Sequence, residues 1–231
     1  MDTIVVFIEN ENGHARLVES LNLLNIPYVR LFEGQKWISH FDKLRIYIEG
    51  LREIKNEWVL LSDSRDVLFY KDIQTINEVY DKYYGWDIEI LLQAEDTDQG
   101  CVFFQQTGLK RYGLRTSWYK YPCSGLIMGK RLSIIHWFEE ILEKVPEPWN
   151  IADQPAIEWG MANLTHHHVG LDTECRIFQQ MGMGNYSGVN FHLHFNKHFI
   201  KNVYTRTEPC IFHGAGNSFL HPVWRIINQI Y

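Results

Sequence analysis

The chain has 231 residues, 45% of them hydrophobic and 14% aromatic, and a formal net charge of −6. At roughly 150 residues per domain this allows one large domain or two small ones, and the apolar content excludes a disordered chain. With no Lys/Arg cluster, nucleic acid polymers and anionic membranes are disfavoured as partners, because basic patches hold both; an anionic ligand needs local neutralisation.

An apolar, β-branched run at residues 4–8 predicts a first strand closed by Glu9, followed by a turn and by residues 15–24 at helical spacing. Residues 27–32 predict a second strand, 41–54 a helix with Leu44, Tyr47, Ile48 and Leu51 on one face, and 58–61 a third strand. A helix at 72–83 and a strand at 88–92 continue the alternation, which implies parallel βαβ units. Residues 96–121 read as loops and short elements, 124–128 as a strand, 132–145 as an amphipathic helix stopped by Pro146 and Pro148, and 152–161 as a short helix. Strand pieces follow at 169–171, 177–178 and 209–213, and a packed helix at 222–231. With no repeat or linker, the economical reading is one α/β domain with a more irregular second half.

The run at 4–8 is too short for a signal peptide and lacks a basic flank, and no segment approaches the ~18 apolar residues of a membrane span. The expectation is a cytoplasmic protein, or a part of something larger. Cys101, Cys123, Cys175 and Cys210 are scattered without a C-x-x-C pair and read as reduced, buried thiols.

The stretch richest in chemistry is Trp58-Val-Leu-Leu-Ser-Asp63-Ser-Arg-Asp66-Val, where an apolar strand runs into two carboxylates three residues apart. In open α/β sheets ligands sit beyond the carboxyl ends of strands. Two neighbouring acids repel unless a cation lies between them, and carboxylates suit hard ions such as Mg²⁺ or Mn²⁺. The alternative is a solvated pair capping the next helix. A haloacid dehalogenase reading fails on spacing, since that chemistry needs Asp-x-Asp after the first strand. Near the other end, Pro209-Cys-Ile-Phe-His213-Gly-Ala-Gly216 offers an imidazole and a glycine turn that brings backbone N–H groups to phosphate. His166, His167 and His168, with His192, His194 and His198, invite zinc. Three consecutive histidines cannot all point to one site, however, and the His-Glu-x-x-His frame is missing, so they read as loop and surface histidines.

Taken together these segments resemble a GT-A glycosyltransferase, specifically the glycosyltransferase domain of the procollagen lysyl hydroxylases. The similarity runs in order through Tyr28-Val-Arg-Leu with Trp37, Lys43, Ser62 to Val67, Ala94-Glu95, Ser124-Gly125 with Gly129, Asp153-Gln154, Leu171-Asp172, Arg176-Ile-Phe-Gln179 and His213-Gly214 with Gly216. Departures fall in the donor region: Arg65 replaces an aromatic residue that helps hold uracil, Cys123 replaces Asn, and a lysine after the His-Gly turn is replaced near Phe219. Segments lying near substrate in the family are shortened, so collagen is not carried over as acceptor.

The resemblance implies a Rossmann-like, mostly parallel sheet flanked by helices, with a nucleotide-binding half at about 1–95 and an acceptor and metal-completing half at about 96–231. It implies transfer of a hexose from UDP-glucose or UDP-galactose to a hydroxyl of a glycan or hydroxylated peptide, with Mn²⁺ (or Mg²⁺) on Asp63, Asp66 and His213. Asp153, then Glu95, are the expected catalytic carboxylates. Glu9, Trp37, Lys43, Ser64, Arg65, Gly214 and Gly216 are expected on the donor, and Asp172 either lines the acceptor site or is structural. The other class of reading is a non-catalytic carbohydrate- or nucleotide-sugar-binding module, which the aromatic content would also serve.

Overall fold

The computed structural model describes residues 1–10, 16–37, 39–96, 108–109, 117–181, 192–197, 199–214 and 220–230. Cys101, His198, Gly216 and Phe219 lie outside them. In chain order the first half carries β1 (Thr3–Asn10), α1 (Leu17–Leu23), β2 (Tyr28–Gln35), α2 (Asp42–Glu53), β3 (Trp58–Ser62), β4 (Val67–Phe69), α3 (Ile73–Tyr83) and β5 (Ile90–Glu95). There follow β6 (Tyr121–Lys130), α4 (Arg131–Lys144), a 3₁₀ turn (Trp149–Ile151), α5 (Asp153–Asn163), β7 (Val169–Asp172), β8 (Phe178–Gln180), β9 (Leu193–Asn196), β10 (Phe199–Asn202), β11 (Ile211–His213) and α6 (His221–Ile230).

The main sheet has the order β2-β1-β3-β6-β5-β7. β1 runs parallel to β2 and β3, and β5 parallel to β7, while β6 is antiparallel to both neighbours. Its central strands carry long apolar runs because both faces are covered, with polar residues such as Gln93 and Glu95 toward the end of β5. Alternate side chains go to opposite layers: Val6, Val59, Leu61, Ile90, Leu92 and Ile127 pack with α2, α4 and α5. Val5, Phe7, Leu60, Leu91, Leu126 and Met128 pack with α1 and α3.

A second sheet, ordered β4-β11-β8, pairs β11 antiparallel to β4 and parallel to β8. It carries a further core of Leu68, Tyr70, Phe212, Leu193 and Ile200 that buries Val223, Ile226 and Ile227 of α6, the packed C-terminal helix expected from the pattern. Pattern reading missed β4 and the β9–β10 hairpin, which are only three and four residues per strand. Among the described residues no helix is long and apolar enough to cross a membrane.

Candidate functional site

The site forms where β3 and β5 end, opposite the start of β6. Asp63 follows β3 directly, and its N–H donates to the Gly125 carbonyl of β6 at 2.8 Å. Asp66 precedes β4, and β4 pairs with β11 so that Val67 faces His213. Gly214 N–H donates to the Asp66 carbonyl at 2.7 Å, so this register brings residues from distant parts of the chain side by side. The Gly214 amide is therefore bonded to Asp66.

His213 is buried, and its Nδ1 donates to Gln93 Oε1 at 2.7 Å. In the neutral ring that bond places the proton on Nδ1 and leaves Nε2 its lone pair. Nε2 is buried without a hydrogen-bond partner, 3.5 Å from Asp63 Oδ2 and 3.7 Å from Asp66 Oδ1. These distances exceed a hydrogen bond, yet donor atoms of the three residues lie within 4.8 Å of one another. Two carboxylate oxygens and an orphaned imidazole nitrogen are a donor set that fits a divalent cation. Gly125 makes room for the ring: a Cβ there would stand 2.1 Å from His213 Cε1.

Lys43 of α2 is buried between two acids, with Nζ 2.6 Å from Asp63 Oδ1 and 2.8 Å from Asp153 Oδ2, and also donates to the Ser124 carbonyl at 3.2 Å. Burial alone would depress its pKa, but Asp153 and Asp63 hold it well above the ordinary lysine value. Burial likewise opposes ionisation of Asp63, yet Lys43 and His213 keep its pKa below the usual carboxylate range. Asp66 goes the other way, raised by burial against the pull of His213 and pushed further by the charge on Asp63. His213 is raised because the two carboxylates outweigh its burial. Lys43 is thus a clamp between Asp63 and Asp153 rather than an unattached point charge.

Asp153 is the first residue of α5 and is buried. The next residue, Gln154, accepts from Ser124 N–H at 2.7 Å and donates to Glu158, Glu95 and the Pro122 carbonyl. Glu95, buried at the end of β5, also accepts from Gln180 Nε2 at 2.6 Å. The acidic groups Asp63, Asp66, Asp153, Glu95 and Glu158 thus share this region with Lys43 and His213, and a divalent ion would offset their negative charge. The geometry adds Gln93, Gln154 and Gly125 to the residues singled out by type.

Around this centre Arg65 is exposed and Ser64 partly so on the turn between the two aspartates. Trp37 is half-buried, edge-on to Phe32 and His40 at centroid distances of 6.5 and 5.5 Å. Glu9, buried at the end of β1, lies 3.7 Å from Arg30. Cys123 is a buried free thiol whose Sγ is 3.7 Å from His213 Nδ1; burial pushes its pKa well up.

Asp172 is fully buried; it accepts N–H bonds from Arg176, Ile177 and Phe178 at 2.7–2.8 Å and the Tyr84 hydroxyl at 2.6 Å. Of its two expected roles it has the structural one. His192 corrects another expectation: it is buried beside Tyr119, edge-on to Trp118 and stacked on Tyr204.

Sequence and fold comparisons bear on the family and the fold. The family model of the PLOD GT domain matches residues 1–224. No curated protein matches the chain in sequence. Among solved structures, the galactosyltransferase LgtC in complex with donor and acceptor sugar analogues superposes with a TM-score of 0.58 at 13% identity, covering 98% of this chain and 94% of that one. A glycosyltransferase involved in glycosylation of the major capsid of PBCV-1 gives 0.54 at 11% identity, covering 98% of each chain. The bifunctional glycosyltransferase WbbM gives 0.56 at 15% identity over 97% of this chain but 49% of its own. At such identities these structures speak for the fold. With the family match spanning nearly every residue, the chain belongs to the PLOD glycosyltransferase-domain family and is a glycosyltransferase of GT-A fold.

Proposed function

We propose that this glycosyltransferase moves a hexose from a UDP-sugar, UDP-glucose or UDP-galactose, to a hydroxyl acceptor on a glycan or hydroxylated peptide, with Mn²⁺ (or Mg²⁺) held by Asp63, Asp66 and His213. The observation that carries the reading is the buried, unpartnered His213 Nε2 aimed between two carboxylates at the end of β3. A divalent ion so held supplies Lewis-acid stabilisation of the charge that grows on the diphosphate leaving group.

The protein's own groups do the rest. Lys43 fixes Asp63 and Asp153 together, and Gln93 orients the His213 ring so that Nε2 faces the two carboxylates. Asp153 is assigned to the reacting sugar or acceptor hydroxyl, with Glu95 beside it, oriented by Gln154 and Gln180. Ser64, Arg65, Trp37 and Glu9 are assigned to the nucleoside side, and Gly216 to the phosphates. Trp118 and Tyr204, 42% and 50% exposed with ring centroids 6.1 Å apart beside His192, offer aromatic faces suited to an acceptor sugar ring. Residues 1–95 and 96–231 act together in this scheme as one catalytic unit.

The test is a panel of UDP-, GDP- and TDP-sugars, following nucleotide release with Mn²⁺ and with chelator. Metal-dependent release from a UDP-hexose, lost in Asp63→Ala and in Asp66→Ala while the fold persists, is expected. Full activity in both variants, or sugar binding indifferent to Mn²⁺ and nucleotide as in a non-catalytic module, would overturn the proposal.

A further inference from the structure

A second set of metal-type donors lies away from the carboxylate centre. Glu140 projects from α4, and His166 and His167 lie in the turn between α5 and β7; His166 Nε2 and His167 Nε2 stand 2.7 and 2.8 Å from the same oxygen, Glu140 Oε2. The donor atoms of all three fall within 4.8 Å of one another, and the two rings are 4.4 Å apart.

Consecutive side chains on a helix diverge by about 100°. Here they converge because the turn is tight, with His167 N–H donating to the Leu164 carbonyl and Val169 N–H to the His167 carbonyl. His168 is used differently: its carbonyl accepts from Glu89 and Ile90, and its Nδ1 lies 3.0 Å from the Asp87 carbonyl. Two of three consecutive histidines thus share a target, while all three lie in a turn, with His166 and His168 exposed, as their reading as loop and surface residues expected.

Lys144 takes the other oxygen of Glu140, Oε1, and leaves Oε2 to the imidazoles. Two imidazoles and one carboxylate with an open fourth position match the donor set of zinc sites that keep a water. Bonds of about 2.0–2.1 Å place tetrahedral neighbours about 3.3 Å apart, so each imidazole has only about half an ångström to withdraw. His166, at 63% side-chain exposure, has the freedom to do so and leaves a path for solvent, while His167 at 13% and Glu140 at 17% are anchored. Imidazole donors favour borderline transition ions over the hard ions suited to a carboxylate-rich centre. The 11-residue α5, about 16 Å long, begins at Asp153 in the catalytic region and ends just before this turn, so the two donor sets sit at opposite ends of one helix.

We propose that Glu140, His166 and His167 form a second metal site, for a borderline transition ion of the Zn²⁺ class, that ties α4 to the turn entering β7 and is separate from the catalytic centre. Calorimetric titration of the full chain with Zn²⁺ tests it in the wild type, His166→Ala/His167→Ala and Glu140→Gln. Loss of an outer-shell partner alone weakens metal binding about 10- to 100-fold, so loss of these ligands should do at least that and lower the Zn²⁺ stoichiometry by one. Glu140→Gln keeps a hydrogen-bond acceptor but not the anionic ligand, and should weaken Zn²⁺ binding with an unchanged circular dichroism spectrum. The double variant should also lose any Zn²⁺-induced rise in Tm while keeping nucleotide-sugar turnover with Mn²⁺. Equal Zn²⁺ stoichiometry and affinity in all three proteins, or no Zn²⁺ bound by the wild type at micromolar concentrations, would overturn the proposal.

Discussion

Gly125→Ala is the sharpest probe of how the candidate centre is built. A Cβ at this position would lie 2.1, 2.7 and 2.8 Å from His213 Cε1, Nδ1 and Nε2, where ordinary contact begins at 3.4 Å, so 3.4 − 2.1 = 1.3 Å must be found. His213 has nowhere to go, being 2% exposed with Nδ1 held by Gln93 at 2.7 Å. β6 cannot retreat either, since it is hydrogen-bonded to β3 on one side and β5 on the other. Overpacking of this kind costs about 1–3 kcal/mol, and any shift that relieves it carries Nε2 away from Asp63 and Asp66. Urea denaturation should show that loss, with metal-dependent turnover falling well over tenfold. In a His213→Ala background the ring is gone, so adding Gly125→Ala should cost little. The double-mutant cycle should therefore return a coupling energy of about the size of the clash. Additive stability losses, or full turnover by Gly125→Ala alone, would refute the reasoning.

Lys43→Met leaves the buried Asp63 and Asp153 without their shared cation; breaking a buried pair costs about 3–5 kcal/mol, so the urea midpoint should fall sharply. Asp172→Asn turns an amide donor toward the Ile177 and Phe178 N–H groups, or the Arg176 N–H and Tyr84 hydroxyl if flipped. At about 1–3 kcal/mol per unmet buried group, thermal unfolding should drop by the equivalent of about 3 kcal/mol, with substrate KM little changed. His192 carries a pH signature: burial holds its pKa below the ordinary value, against a weaker pull from Asp96. Its stabilising effect is present above the unfolded pKa of about 6.5 and is lost as pH falls toward the lower folded one. His192→Phe should flatten that slope in urea midpoints taken across this range; an unchanged slope assigns it to other histidines.

The parallel framework was legible because continuous apolar runs, such as Ile4 to Ile8 and Trp58 to Leu61, alternate with helical spacing and are buried on both faces. β4, β9 and β10 were not, since three- and four-residue strands carry too little pattern; β4 is defined by a partner far along the chain. In the candidate site, acids and an imidazole announced themselves by type. Gln93 did not, and Gln154 and Gly125 entered only as matched positions of the family resemblance, without a role. Amides have no chemical signature of their own, and Gln93 meets His213 only through tertiary packing. The clearance at Gly125 likewise exists only once His213 is seated against β6. The pairing of His166 with His167 was hidden because it depends on the turn and on a carboxylate 26 residues away from His166.

The β4–β11 pairing also sets a timetable for the molecule. His213 follows Asp66 by 213 − 66 = 147 residues, and the strand that carries it has no place until β4 and β8 are there to receive it. Closure over so long a separation comes late and slowly in folding. During synthesis the two aspartates leave the ribosome long before the imidazole, so a chain made only as far as β5 still lacks His213. Completion of the centre is thereby coupled to completion of the fold, and a partly made chain holds its carboxylates without the group that unites them.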